Sequence, residues 1–143
     1  MTQPNDVQQY LAYLANSMRG SGPEQLAALE PSRRNLVLAA RFDYDVRKGG
    51  FGQFLYNMHG LLLREVEDML IGANAVVAHE AYVQSVETCL ADRAEYQRFL
   101  ASTYTEENRI KNALHMITLT YFAKKTPFAV EAHAYLVKVL PDS

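Results

Sequence analysis

The segment Val46-Arg47-Lys48-Gly49-Gly50-Phe51-Gly52-Gln53-Phe54-Leu55-Tyr56-Asn57 constrains the fold more than any other part of the chain. Three glycines and three aromatic residues fall within it, and helical patterns run on both sides. Gly49 is placed where a residue just past a helix end needs φ > 0 and tolerates no Cβ cheaply. Arg47 and Lys48 lie in the preceding last turn, where cations favour the helix dipole. Phe51, Phe54 and Leu55 then recur at i, i+3 and i+4, one face of a new short helix. The stretch reads as a sharp corner followed by an aromatic plug. It holds no nucleophile and no general base.

The flanking sequence is helical throughout. Asn5 or Asp6 is expected to cap a first helix striped by Val7, Tyr10, Leu11, Leu14 and Met18, ended by Gly20-Ser21-Gly22-Pro23. Ser21 with Glu24 offers a capping box for a short helix over 23–29. Pro31-Ser32 opens a long helix carrying Leu36, Val37, Leu38, Phe42, Tyr44 and Val46, buried on more than one side and closed by the glycine pair. His59-Gly60 allows a turn. Leu62, Val66, Met69 and Leu70 carry the next helix to Gly72. Asn74 is expected to cap a helix whose stripe is Val76, His79, Val83, Val86 and Leu90. Asp92 with Glu95, and Thr103 with Glu106, form capping pairs for two more, lined by Tyr96, Phe99 and Leu100 and by Ile110, Ala113, Leu114, Ile117 and Tyr121. Thr126-Pro127 starts a last helix with Phe128, Ala132, Tyr135, Leu136 and Val139 inward, ended by Pro141. No stretch alternates with period two, so no strand is expected. The pattern predicts an all-α, compact single-domain bundle of about seven or eight helices over residues 1–143. The one alternative boundary, Arg19–Pro23, would leave a first helix unable to bury its stripe.

Charge narrows function. The net charge is −2, so the chain as a whole is not a polyanion, and direct nucleic-acid binding is disfavoured. Residues 51–100 hold 7 acidic and 3 basic groups, −4, whereas each flank carries +1. A single cysteine, Cys89, excludes an internal disulfide and fits a reducing compartment. The polar start of the chain lacks a signal-peptide layout, and no apolar run approaches the roughly 20 residues that span a bilayer. A cytoplasmic protein without membrane contact is expected.

The candidate chemical groups are sparse. His59, His79, His115 and His133 lie on different elements without i, i+4 spacing, so no metal site is expected. Cys89, one position off the stripe, reads as a half-buried, inert thiol. There is no nucleophile elbow or Walker-type loop, and no cofactor motif. Asp43 and Asp45 point to different helix faces. One of them is expected to hydrogen-bond the exposed amides of the Gly49–Phe51 turn rather than act as a catalytic base. The remaining feature is the acidic segment Glu65, Glu67, Asp68, Glu80, Glu87, Asp92 and Glu95. It reads either as solvated helix surface or as a patch for a basic partner.

The motif Gly49-Gly50-Phe51-Gly52-Gln53-Phe54-Leu55-Tyr56-Asn57, followed by Ile71-Gly72-Ala73, resembles a bacterial domain family that includes a neisserial DNA-mimic protein. The resemblance covers about residues 30–100 and rests on Gly49, Gly50, Phe51, Gln53, Phe54, Tyr56 and Asn57. Lys48 stands where the family often has Asn, and Leu55 where an aromatic is common. The resemblance implies an all-α fold, no enzymatic activity, and a partner protein such as a transcription factor whose DNA-binding face is occupied. Three functions are open: a non-catalytic interaction module, whose partner, a transcription factor for example, meets the acidic segment or an apolar groove beside the corner; an immunity-type protein that neutralises a toxin; and a small-ligand binder or enzyme with a pocket of Tyr44, Phe51, Gln53, Tyr56, Asn57 and His59. A homodimer is also open.

Overall fold

Glycine decides the shape of the longest helix. In the computed structural model, which describes residues 3–140, α3 spans Pro31–Met58 and is broken by Gly50 at φ 79, ψ −174. Only glycine adopts that conformation readily. The expected corner is present one residue later than the sequence indicates: Gly49 remains helical and Gly50 takes the positive φ. The second limb begins at Phe51, and Phe51, Phe54 and Leu55 are fully buried as expected. The helix stops at His59 and Gly60, both at positive φ.

Eight further helices surround α3 among the described residues: α1 (Pro4–Ser17), α2 (Pro23–Ala27), α4 (Leu63–Gly72), α5 (Val76–Ala91), α6 (Arg93–Ala101), α7 (Arg109–Ala123), α8 (Phe128–Glu131) and α9 (His133–Val139). Strands are absent from these residues. α1 packs along α3 and also touches α8 and α9, while α7 lies against both α3 and α5. Every helix contributes to one apolar core, from Val7 to Leu140. Phe42 is its aromatic hub, in edge contact with Phe54 and Phe128 (both 5.2 Å between centroids), Phe51 (5.9 Å) and Tyr82 (6.4 Å). Such edge-on pairs suit the ring quadrupole and stabilise beyond area burial.

Several expected caps are replaced. The N-cap of α1 is Gln3, so Asn5 and Asp6 fall inside its first turn; a proline at the helix start favours that earlier entry. Gly22, not Ser21, caps α2, and its amide donates to Gln25 Oε1 at 2.8 Å. Glu30 caps α3 by accepting the Ser32 and Arg33 amides. Asp92 caps α6 through the Glu95 amide, as the sequence indicates. Thr103 and Glu106 form a turn instead of a cap; Asn108 caps α7 by accepting the Ile110 and Lys111 amides. The last helix is two pieces joined at Ala132, with Phe128, Ala132 and Leu136 buried and Val139 exposed. Pro141 lies outside the described residues.

α5 turns a different face inward from the one expected. Ala78, Ala81, Tyr82, Ser85 and Cys89 are buried, whereas Val76 and Leu90 are exposed and His79, Val83 and Val86 are half-buried. Apolar residues occupy both sides of this helix, so spacing alone does not select one. Tyr82 selects it: its ring joins the Phe42 cluster and its hydroxyl donates to the Leu63 carbonyl at 2.6 Å. The small residues beside it fit the closely packed side of the helix, where a branched chain would be overpacked.

Candidate functional site

The acidic segment divides into two parts. Asp92 and Glu95 are both engaged by arginines of the same chain. Arg109 of α7 reaches Asp92 (2.9 Å) and Glu95 (3.4 Å), Arg98 reaches Glu95 (3.2 Å), and Glu95 is buried. Glu67 binds His79 Nε2 at 3.0 Å and so ties α4 to α5. His79 is therefore an edge residue with a carboxylate partner, not a core histidine. Glu65 and Asp68 on α4, and Glu80 and Glu87 on α5, form no ion pair among the described residues; Asp68, Glu80 and Glu87 are exposed and Glu65 is half-buried. Glu65 and Asp68 are i, i+3 neighbours on α4, and Glu80 and Glu87 recur two turns apart on α5. Exposed Ile71 and Val76 lie at the α4–α5 junction.

The start of α5 is held from a distance. Asn74 takes a left-handed conformation, φ 58, instead of capping. The Val77 and Ala78 amides donate to the Glu131 carboxylate of α8 at 2.7 and 3.0 Å. A carboxylate at a helix N-terminus satisfies orphan amides and favours the dipole. Together with the Glu67–His79 pair, this fixes the orientation of the acidic helices.

At the corner, the Phe51 amide donates to Thr118 Oγ1 of α7 at 2.9 Å. Neither Asp43 nor Asp45 takes that amide, contrary to expectation. Asp43 pairs with Arg47 at 3.1 Å, and Asp45 accepts from Asn57 Nδ2 at 3.1 Å. Asn57 in turn accepts from Gln53 Nε2 at 2.9 Å, so Gln53, Asn57 and Asp45 form one polar chain across the corner. Burial pushes both Asp carboxyls above their ordinary range, offset at Asp43 by Arg47 and at Asp45 by the Asn57 amide.

The pocket expected at the corner is present only in part. A cleft of about 400 Å³ is lined by Tyr44, Asn57 and His59 together with Arg41 and Asp45. Phe51 belongs to the core, Gln53 is engaged with Asn57, and the Tyr56 hydroxyl donates to the Ser102 carbonyl at 2.6 Å. Arg41 is held by the Met18 and Ser21 carbonyls, which closes the α1–α2 connection over this cleft. A second, apolar cavity of about 220 Å³ lies on the other side of α3, between α1, α7 and the turn before α8. Nothing in the sequence marked it, since its lining comes from three separated segments.

Cys89 is fully buried, deeper than expected, and burial pushes its thiol up to about 12. Among the described residues no three of His, Cys, Asp and Glu gather as metal ligands, and no helix is long and apolar enough to cross a membrane.

A family model described as DMP19-like protein matches residues 27–137 of the chain. This is the family that the Gly49–Asn57 motif resembles, and the match extends beyond the motif at both ends, from α2 to α9. No curated protein and no solved structure matches the chain.

Proposed function

The chain belongs to the DMP19-like protein family, and from that premise we propose that it is a non-enzymatic interaction module whose partner presents a basic, DNA-binding surface to α4 and α5. The observation that carries this reading is the set Glu65, Asp68, Glu80 and Glu87, four carboxylates without an ion-pair partner among the described residues, on two helices locked together. A partner's lysines and arginines that normally meet phosphates would meet these carboxylates instead. Glu80 and Glu87 are about 10 Å apart along the helix axis. Such spacing replaces a few phosphates rather than the length of a groove. Preorganisation by the Glu67–His79 pair and the Glu131 cap lowers the ordering cost of binding, and the charges raise the association rate more than the affinity.

The test is affinity capture from a bacterial lysate with the parent protein and with a variant carrying Glu65→Lys, Asp68→Lys, Glu80→Lys and Glu87→Lys. Circular dichroism confirms that the variant is folded. The proposal expects a DNA-binding protein retained by the parent at low salt and lost from the variant. Equal recovery on both would refute it.

A further inference from the structure

The apolar cavity between α1, α3 and the α7–α8 turn has features that the acidic surface does not use. Its walls include Phe42, Tyr121, Phe122 and Phe128. At about 220 Å³, it exceeds the roughly 150 Å³ of an apolar cavity that admits benzene. One ring with short substituents therefore fits. Asp43 lines the same cavity and is only 1% exposed. Its Oδ2 is held by Arg47, while its buried Oδ1 accepts no hydrogen bond among the described residues. Gln8 lies beside this carboxylate and its side chain helps to favour the charged form, yet Oδ1 is left without a hydrogen-bond partner among the described residues. A buried acceptor left without a donor is costly, and a ligand that supplies the donor removes that cost.

The charges select the ligand further. Arg47 already neutralises Asp43, and Lys125, exposed and also lining the cavity, forms no ion pair among the described residues. An ammonium group would meet two cations and one compensated carboxylate. A carboxylate at the Lys125 side would be welcomed.

We propose that this cavity binds a small aromatic acid carrying a hydrogen-bond donor, such as a phenolic hydroxyl, at the end opposite its carboxylate. The donor meets Asp43 Oδ1, the ring lies among the four aromatic side chains, and the carboxylate faces Lys125. The site is independent of the acidic surface on α4 and α5.

The test is a two-dimensional amide NMR titration of the whole protein with 4-hydroxyphenylacetate, phenylacetate and tyramine. Saturable shifts centred on Asp43, Phe122 and Lys125 are expected for 4-hydroxyphenylacetate. Phenylacetate, which lacks the donor, and tyramine, which replaces the carboxylate by a cation, should each bind at least about tenfold more weakly. Lys125→Gln, at an exposed position, should weaken 4-hydroxyphenylacetate about fivefold or more with little change in the melting temperature. Absence of saturable shifts, or equal binding of the three compounds, overturns the proposal.

Discussion

Thr118 Oγ1 accepts the amide hydrogen of Phe51 at 2.9 Å across 67 residues of sequence, and the same hydroxyl donates to the Leu114 carbonyl. One side chain thereby satisfies the first free amide after the Gly50 break and anchors α7 to the corner. Thr118→Val keeps the shape and removes both bonds. It should cost about 1–3 kcal/mol, because the buried Phe51 amide is left unpaired. Thr118→Ser should recover most of that loss. Denaturant unfolding of the two variants measures the difference.

Gly50 has no substitute at the break. Its φ of 79 strains any L side chain, and an added Cβ would lie 2.7 Å from Thr118 Oγ1. Gly50→Ala should lower stability by about 3 kcal/mol or more, or prevent folding. Gly72 provides the contrast, since a Cβ there meets nothing within 4 Å. Gly72→Ala should be neutral or stabilise by up to about 1 kcal/mol, because alanine is the better helix former. Thermal melts of the pair separate the two cases.

Glu131 caps α5 from another helix. Glu131→Ala should destabilise by about 1–2 kcal/mol, the range of a lost helix cap with its favourable charge. Hydrogen exchange should quicken first at the Val77 and Ala78 amides, the two donors to that carboxylate. Uniform quickening across the chain would assign Glu131 a different role.

The half-buried Asp45 carboxyl has its pKa raised by partial desolvation. A raised carboxyl pKa means that the folded state binds the proton more tightly than the unfolded state. The resulting stability is fully present below the ordinary Asp value and is lost as pH rises through the raised one. Asp45→Asn lacks this titration. Relative to that variant, the parent should be most stable near about pH 3.5 and lose ground towards neutrality. A melting-temperature difference that stays constant with pH would contradict the desolvation account.

What could be read from the chain and what could not divide on physical grounds. The corner, the Asp92 cap and the Ile110–Leu114–Tyr121 stripe of α7 were legible because each depends on residues within a turn or two of one another. The identity of the strained glycine was not, because Gly49 and Gly50 are equivalent in local propensity, and what crowds each of them, Gln53 at Gly49 and Thr118 at Gly50, is set by the folded helix. The inward face of α5 was ambiguous because apolar residues lie on both sides, and the choice is made by Tyr82 meeting Leu63. The Asn74 cap gave way to Glu131 because a carboxylate brought in by the fold outcompetes a local amide. The acidic segment was legible as a bias in charge. Its division was not, since Arg109, which engages Asp92 and Glu95, arrives from α7.

Competition with DNA tests the central claim most directly. A DNA-binding protein captured by the parent is bound to a fluorescent duplex of its own target, and fluorescence anisotropy is followed as the parent is added. The account predicts displacement of the duplex by the parent, weakened at least about tenfold when Glu65, Asp68, Glu80 and Glu87 are reversed to lysine. If the duplex stays bound while the parent also binds, or if the reversed variant displaces it equally well, the carboxylates of α4 and α5 do not occupy the DNA-binding surface.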